Sequence, residues 1–143
     1  MQAATWAVPT GQRFDEAVAR AVELVERAEG TAFMFDVIPN EATARRLESM
    51  FVAEREEEWS EFLTECNKAD AEIAEWTRRE KYTLAQLDEE EHNHERLRRW
   101  FRDLRAKDLF GAPSSAEAER SLKESEATLE QYAERVYVAR QSP

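Results

Sequence analysis

The chain has one cysteine, three glycines and four prolines among its 143 residues, and each shortage removes a class of protein. A single Cys66 cannot close an internal disulfide. Its place on an apolar stripe makes it an inert small hydrophobe, and a reducing cytoplasmic compartment suits it. So few turn-forming residues are too few for a long β meander. There is no glycine-rich phosphate loop, no CxxC pair and no Ser-His-Asp order around a nucleophile elbow, so the pattern is that of a non-enzyme without a cofactor. No apolar run approaches the roughly 18 residues that span a bilayer, and the N-terminus lacks a basic segment followed by an apolar one. Positive charge is also short, with 20 Lys and Arg against 31 Asp and Glu and a net charge of −11. Such a surface repels phosphate backbones and anionic lipid, which disfavours DNA binding by this chain alone and membrane binding altogether.

What is present is helical periodicity. With 36% charged residues, the length suits one compact domain with a genuine core. Ala4 to Val8 reads as a short strand carrying Trp6 and stopped by Pro9. Gly11 to Glu29 is a helix with Phe14, Ala17, Val18, Ala21, Val22, Val25 and Ala28 on one face, and Gly30 sits where helices end in left-handed geometry. Thr31 to Ile38 alternates as a strand should, with Phe33, Phe35 and Val37 on one side. Strand, helix, strand is a βαβ unit with parallel strands. The expected fold class is therefore mainly α with a small β part (α+β): a βαβ unit over 1–39, then a three-helix antiparallel bundle over 40–143.

Two long helical patterns back to back, from Asn40 to Phe110, organise the bundle. The first carries Ala44, Leu47, Phe51, Arg55, Trp59, Phe62, Cys66, Ala69, Ile73 and Trp76 at alternating steps of three and four. The second carries Leu84, Leu87, Glu90 or Glu91, His94, Leu97, Phe101, Leu104 and Asp108. Folded back at about 1.5 Å per residue, facing positions have numbers adding to roughly 163. Phe62 then faces Phe101, Trp59 faces Leu104, Ala69 faces His94 and Arg55 faces Asp108. Asn40 caps the first helix, Thr83 with Gln86 forms a capping box at the second, and Ser114 with Glu117 forms another at the third. The third stripe is Ala118, Leu122, Ser125, Leu129, Tyr132 and Val136.

Three constellations could carry chemistry. Arg55 and Asp108 occupy seam positions where apolar residues are expected, with Glu58 beside Trp59 and Arg105 one turn before Asp108. A guanidinium in an apolar seam needs forked carboxylates, so the group is either a structural ion network fixing register or a ligand or partner site. Glu91 and His94 have the i, i+3 spacing of di-iron bundle proteins, although a full site needs the motif twice. The alternatives there are a metal site and a solvated acidic face with one half-buried histidine. Arg96, Arg98, Arg99, Arg102, Arg105 and Lys107 crowd the end of the second helix, where they complement its dipole or form an oxyanion-binding patch.

Taken together, Phe51-x-x-x-Arg55-x-x-Glu58-Trp59-x-x-Phe62, Lys81-Tyr82-Thr83 with Leu87, Arg105-x-x-Asp108-x-Phe110-Gly111-Ala112-Pro113 and Ala133-x-x-Val136-Tyr137 resemble the N-terminal domain of the bacterial chromate-resistance protein B family over nearly the whole chain. That family is associated with chromate efflux operons, and some members are described as chromate-responsive regulators. The resemblance implies a sensor or accessory domain rather than an enzyme, with Arg55, Glu58, Trp59, Arg105 and Asp108 on the family pattern. It also implies a further strand, helix and strand before Thr5, completing a ferredoxin-like sheet, and a C-terminal domain, both lacking here. The expected partner is a second copy, as a homodimer, or a chain supplying the missing strands, because an open sheet edge templates pairing. An oxyanion near Arg55 and Arg105 is the candidate ligand. The expectation is a regulatory or accessory domain linked to chromate resistance; the alternative is a metal-binding or redox helical protein using Glu91 and His94.

Overall fold

The computed structural model describes residues 4–142 and contains four helices: α1 (Gln12–Arg27), α2 (Glu41–Arg78), α3 (Leu84–Lys107) and α4 (Ser115–Gln141). The chain divides into two compact units between Ile38 and Pro39. No strand forms among the described residues. The ferredoxin-like βαβ expectation is therefore overturned, and the fold is all-helical. Ala4 to Val8 and Thr31 to Ile38 have the right alternation but no ladder. Two short strands cannot sustain a sheet, and an alternating pattern fixes pairing only when one of its faces is buried. Here Phe33 and Phe35 are 79% and 80% exposed.

The α1 apolar face also buries no residue fully. Its C-terminus differs from the expected left-handed glycine, because Glu29 takes the positive φ of 59° and the Gly30 N–H reaches back to the Val25 carbonyl at 2.8 Å. Gly30 is needed for space: a Cβ there would lie 2.9 Å from Val25 Cγ1. The same closure ends α2, with Glu80 at φ 53° and the Lys81 N–H donating to the Trp76 carbonyl at 2.9 Å. Both are helix ends in which a six-residue loop satisfies an orphan carbonyl.

The second unit is the three-helix bundle α2, α3 and α4. Asn40 Oδ1 accepts from the Thr43 N–H at 2.8 Å and starts α2, while Thr83 Oγ1 accepts from the Gln86 N–H at 3.3 Å and starts α3. The expected α2–α3 register is visible in Phe62 and Phe101, whose rings lie 5.7 Å apart. The buried stripe of α4 is the one written in its sequence, Ala118 to Val136. Apolar burial falls into two clusters. One is built on Trp59, Phe62, Cys66, Leu97, Leu104 and Leu122; the other, at the α2–α3 hairpin end, on Ile73, Leu87, Leu129, Tyr132 and Val136. Among the described residues no helix is long and apolar enough to cross a membrane.

Candidate functional site

The site assembles where the middle of α2 meets the end of α3 and the start of α4. α3 stops at Lys107, and Gly111 with φ 68° turns the chain back toward α4. That turn lets the Asp108 carboxylate accept from the Ala112 N–H, at 2.9 Å to Oδ1 and 3.1 Å to Oδ2. The fully buried Trp59 on α2 donates its indole N–H to Asp108 Oδ2 at 3.1 Å. Asp108 thus ties α2 to the α3–α4 connection through two donors that would otherwise be buried without an acceptor.

Arg55 lies beside this group and pairs elsewhere. Its Nε is 2.6 Å from Glu58 Oε2, in an ion pair without hydrogen-bond alignment, and its side chain is only 18% exposed. Arg55 also approaches Glu54 at 3.5 Å. Glu58 extends the network to Lys107 on α3 at 3.2 Å. Arg55 and Asp108 do not form the ion pair that the seam arithmetic suggests. One turn of α2 separates Arg55 from Trp59, and the indole takes the carboxylate instead. Arg105 leaves the network altogether, with its guanidinium over the Phe101 ring and 3.3 Å from Glu119 of α4. Trp59, Phe101, Arg105, Asp108, Gly111 and Glu119 line an open cleft of about 370 Å³. It holds one guanidinium against two carboxylates, so its local field does not favour an anion.

Glu56 was not singled out from the sequence and has a defined position. Its carboxylate accepts the Ser114 N–H at 2.8 Å and the Ser114 hydroxyl at 2.6 Å. The expected Ser114–Glu117 capping box is accordingly replaced. Ser114 is already helical at φ −72°, ψ −8° and makes no side-chain cap, so a carboxylate from α2 satisfies the start of α4. A readable signal was the flank of the α2 seam, where Val52, Glu56, Trp59 and Leu63 recur at steps of three and four beside the stripe that carries Arg55.

Glu91 and His94 part company. Glu91 stands on the surface in a groove with His92, Glu95, Arg98, Leu129 and Glu130, while His94 is wholly buried, its Nδ1–H donating to the Glu90 carbonyl at 2.9 Å. Three residues on a helix leave about 60° between side chains, enough to put one outside and one inside. Among the described residues no group of three or more His, Cys, Asp or Glu could hold a metal ion. The α3 arginines are shared between neighbours: Arg96 lies 3.6 Å from Glu65 on α2, and Arg98 2.6 Å from Glu126 on α4. Glu126 holds the Arg98 guanidinium above its ordinary value.

No curated protein and no solved structure matches the chain. A family model described as "Protein ChrB, N-terminal" matches residues 1–143, in agreement with the motif order from Phe51 to Tyr137. The chain belongs to the family of ChrB N-terminal domains, a family linked to chromate resistance.

Proposed function

We propose that this chain is a non-enzymatic regulatory or accessory domain of chromate resistance that works by protein association through its N-terminal unit. The observation carrying this reading is the amount of apolar surface that unit leaves in solvent. Trp6, Phe33, Met34, Phe35, Val37 and Ile38 are all exposed, and α1 buries no residue fully. Exposed apolar clusters of this kind mark interaction surfaces, and the occupant is a second copy or a separate chain. The ion network at Arg55, Glu58 and Lys107 then has a structural part within the bundle, tying α2 to α3. Light scattering of the purified chain tests the reading: a dimer that Phe33→Ser with Phe35→Ser dissolves supports it. A monomer at micromolar concentration that also fails to capture a chain encoded beside it overturns it.

Oxyanion sensing is the finer reading, and Arg105 is where it would act. Its side chain is 63% exposed, against 18% for Arg55. Chromate there would compete with Glu119 and meet the Asp108 charge, so the expected affinity is low and salt-sensitive. Calorimetric titration with chromate, repeated on Arg105→Ala, decides it. Equal heats from both proteins remove the site.

A further inference from the structure

The bundle core is interrupted. The two apolar clusters do not merge, and between them each helix contributes polar groups: Asp70 from α2, Glu90 and His94 from α3, Ser125 from α4. Glu90, His94 and Ser125 are 1%, 0% and 0% exposed. Asp70 Oδ1, Glu90 Oε2, His94 Nε2 and Ser125 Oγ are enclosed without a hydrogen-bond partner. Neighbouring contacts place them at similar levels. Cys66 hydrogen-bonds Ser121, and Asp70 and Ser125 each follow one turn later. Arg98 bonds Glu126, beside Ser125 and one turn after His94.

Most buried polar atoms in folded proteins are paired, so a layer with this many unpaired atoms is a weak plane across an otherwise apolar rod. Glu90 is its ionisable member with the most to lose. One carboxylate oxygen accepts from the Trp76 indole at 3.2 Å, and the other has no partner. Against the raising effects of burial, Glu72 and Glu89, the groups around it compensate the anion only through the Trp76 indole and the Asn93 side chain. On α2 the surrounding groups are Glu72, Asp70 and Trp76; on α3, Glu89, Asn93 and His94; on α4, Tyr132 and Ser125. The hairpin residue Lys81 places its Nζ 5.7 Å from the Trp76 ring and makes no ion pair with Glu90.

We propose that Glu90 is a proton switch for the hairpin half of the bundle: protonated, it closes the Ile73–Leu87–Tyr132 cluster, and ionised, it lets that half open while the Trp59–Phe62–Leu104 half stays shut. A neutral carboxylic acid can donate from one oxygen and accept at the other, so burial costs it far less than it costs the anion. The direction follows from burial, which pushes the Glu90 carboxyl above 4.5. A folded-state value above the unfolded one gives stability that is full in acid and is lost as pH rises through the folded value. The ties holding the hairpin to α4 are few: the Tyr132 hydroxyl donating to the Lys81 carbonyl at 2.6 Å and Arg135 to the Tyr82 hydroxyl at 3.1 Å.

Amide hydrogen exchange on the whole chain, corrected for intrinsic rate and read separately for the two halves, tests this. As pH rises above the ordinary glutamate value, protection in the hairpin half should fall relative to the other half, toward a limit of about tenfold per pH unit for one proton. Glu90→Gln should abolish that relative fall and keep the hairpin half protected throughout. Trp76→Phe removes the indole donor that favours the anion along with some packing against the hairpin cluster, so it should carry the fall to higher pH in the native background and, in the Glu90→Gln background, lower protection by an amount that does not vary with pH. Loss of protection in both halves together, a slope that survives Glu90→Gln, or no response to Trp76→Phe would overturn the proposal.

Discussion

The Trp59 indole N–H and the Asp108 carboxylate, 49 positions apart, meet at 3.1 Å, and the same carboxylate receives the Ala112 N–H. Asp108→Ala leaves both donors without an acceptor in a part-buried place. Each orphan costs about 1–3 kcal/mol, so the expected loss is about 2–6 kcal/mol in equilibrium denaturation followed by circular dichroism. Asp108→Asn retains an acceptor and should lose less. A change below about 1 kcal/mol for the alanine variant would mean that water replaces the carboxylate freely.

Glu56 makes a separate prediction, because its two bonds to Ser114 stand in for the missing N-terminal cap of α4. Glu56→Ala should cost about 1–2 kcal/mol, in the range of a lost cap. Exchange should rise first in the amides of Ser115 to Ala118 and leave the α2–α3 hairpin unchanged. If it rises uniformly, the carboxylate is not acting as a local clamp.

The bundle was legible in the sequence and the N-terminal unit was not. Steps of three and four residues specify which face of a helix is buried, and one strong pair, Phe62 with Phe101, is enough to fix the register of α2 on α3. The alternation in Thr31 to Ile38 specifies only that a strand would have two unlike faces. Pairing depends on a partner segment, which periodicity within eight residues cannot supply. At the site, seam arithmetic brought Arg55, Glu58, Trp59 and Asp108 into one neighbourhood. It could not choose between partners a single turn apart, because Arg55 takes Glu58 and leaves Asp108 to the Trp59 indole, a choice made by side-chain angle rather than by spacing.

Arg55→Met tests how the charges are shared. Arg55 is largely enclosed, but its partner Glu58 keeps Lys107 after the substitution, so no fully unpaired charge results. The expected loss is about 1–2 kcal/mol, below the cost of breaking an isolated buried pair. Arg55→Met combined with Lys107→Met strands Glu58 and should cost more than the two single changes together, a coupling readable in a double-mutant cycle.

Acid stability should show two carboxylates pulling in opposite directions. Arg78, with Arg79 beside it, holds Glu75 down to about 2, so its contribution is present above the ordinary value of 4.5 and lost as pH falls toward 2. Glu90, raised by burial, acts in the reverse sense and contributes most in acid. Glu75→Gln should flatten the acid limb of a stability-against-pH curve, and Glu90→Gln should lift its neutral limb, with the native protein and the Glu90→Gln variant converging at low pH. Both variants shifting the same limb would contradict the assignment.

Cys66, the one cysteine of the chain, is a native reporter of opening of the core. Burial is the main cause that pushes its thiol up to about 11, with Asp70 and Glu65 adding to it and the Ser121 hydrogen bond opposing it. The thiolate is the reactive form, and the side chain is fully enclosed between α2 and α4. Alkylation in mildly alkaline buffer should therefore proceed only through opening of the bundle. Its rate should be far below that of a free thiol and should climb steeply with denaturant. Because the folded value lies above the free thiol's 9.0, stability linked to Cys66 is intact below that value and is lost as pH rises from there toward 11. Cys66→Ala should remove this alkaline loss at the cost of a small cavity, roughly 1 kcal/mol. Native protein labelled as fast as unfolded protein would show that the Trp59–Phe62–Leu97 half of the core admits solvent.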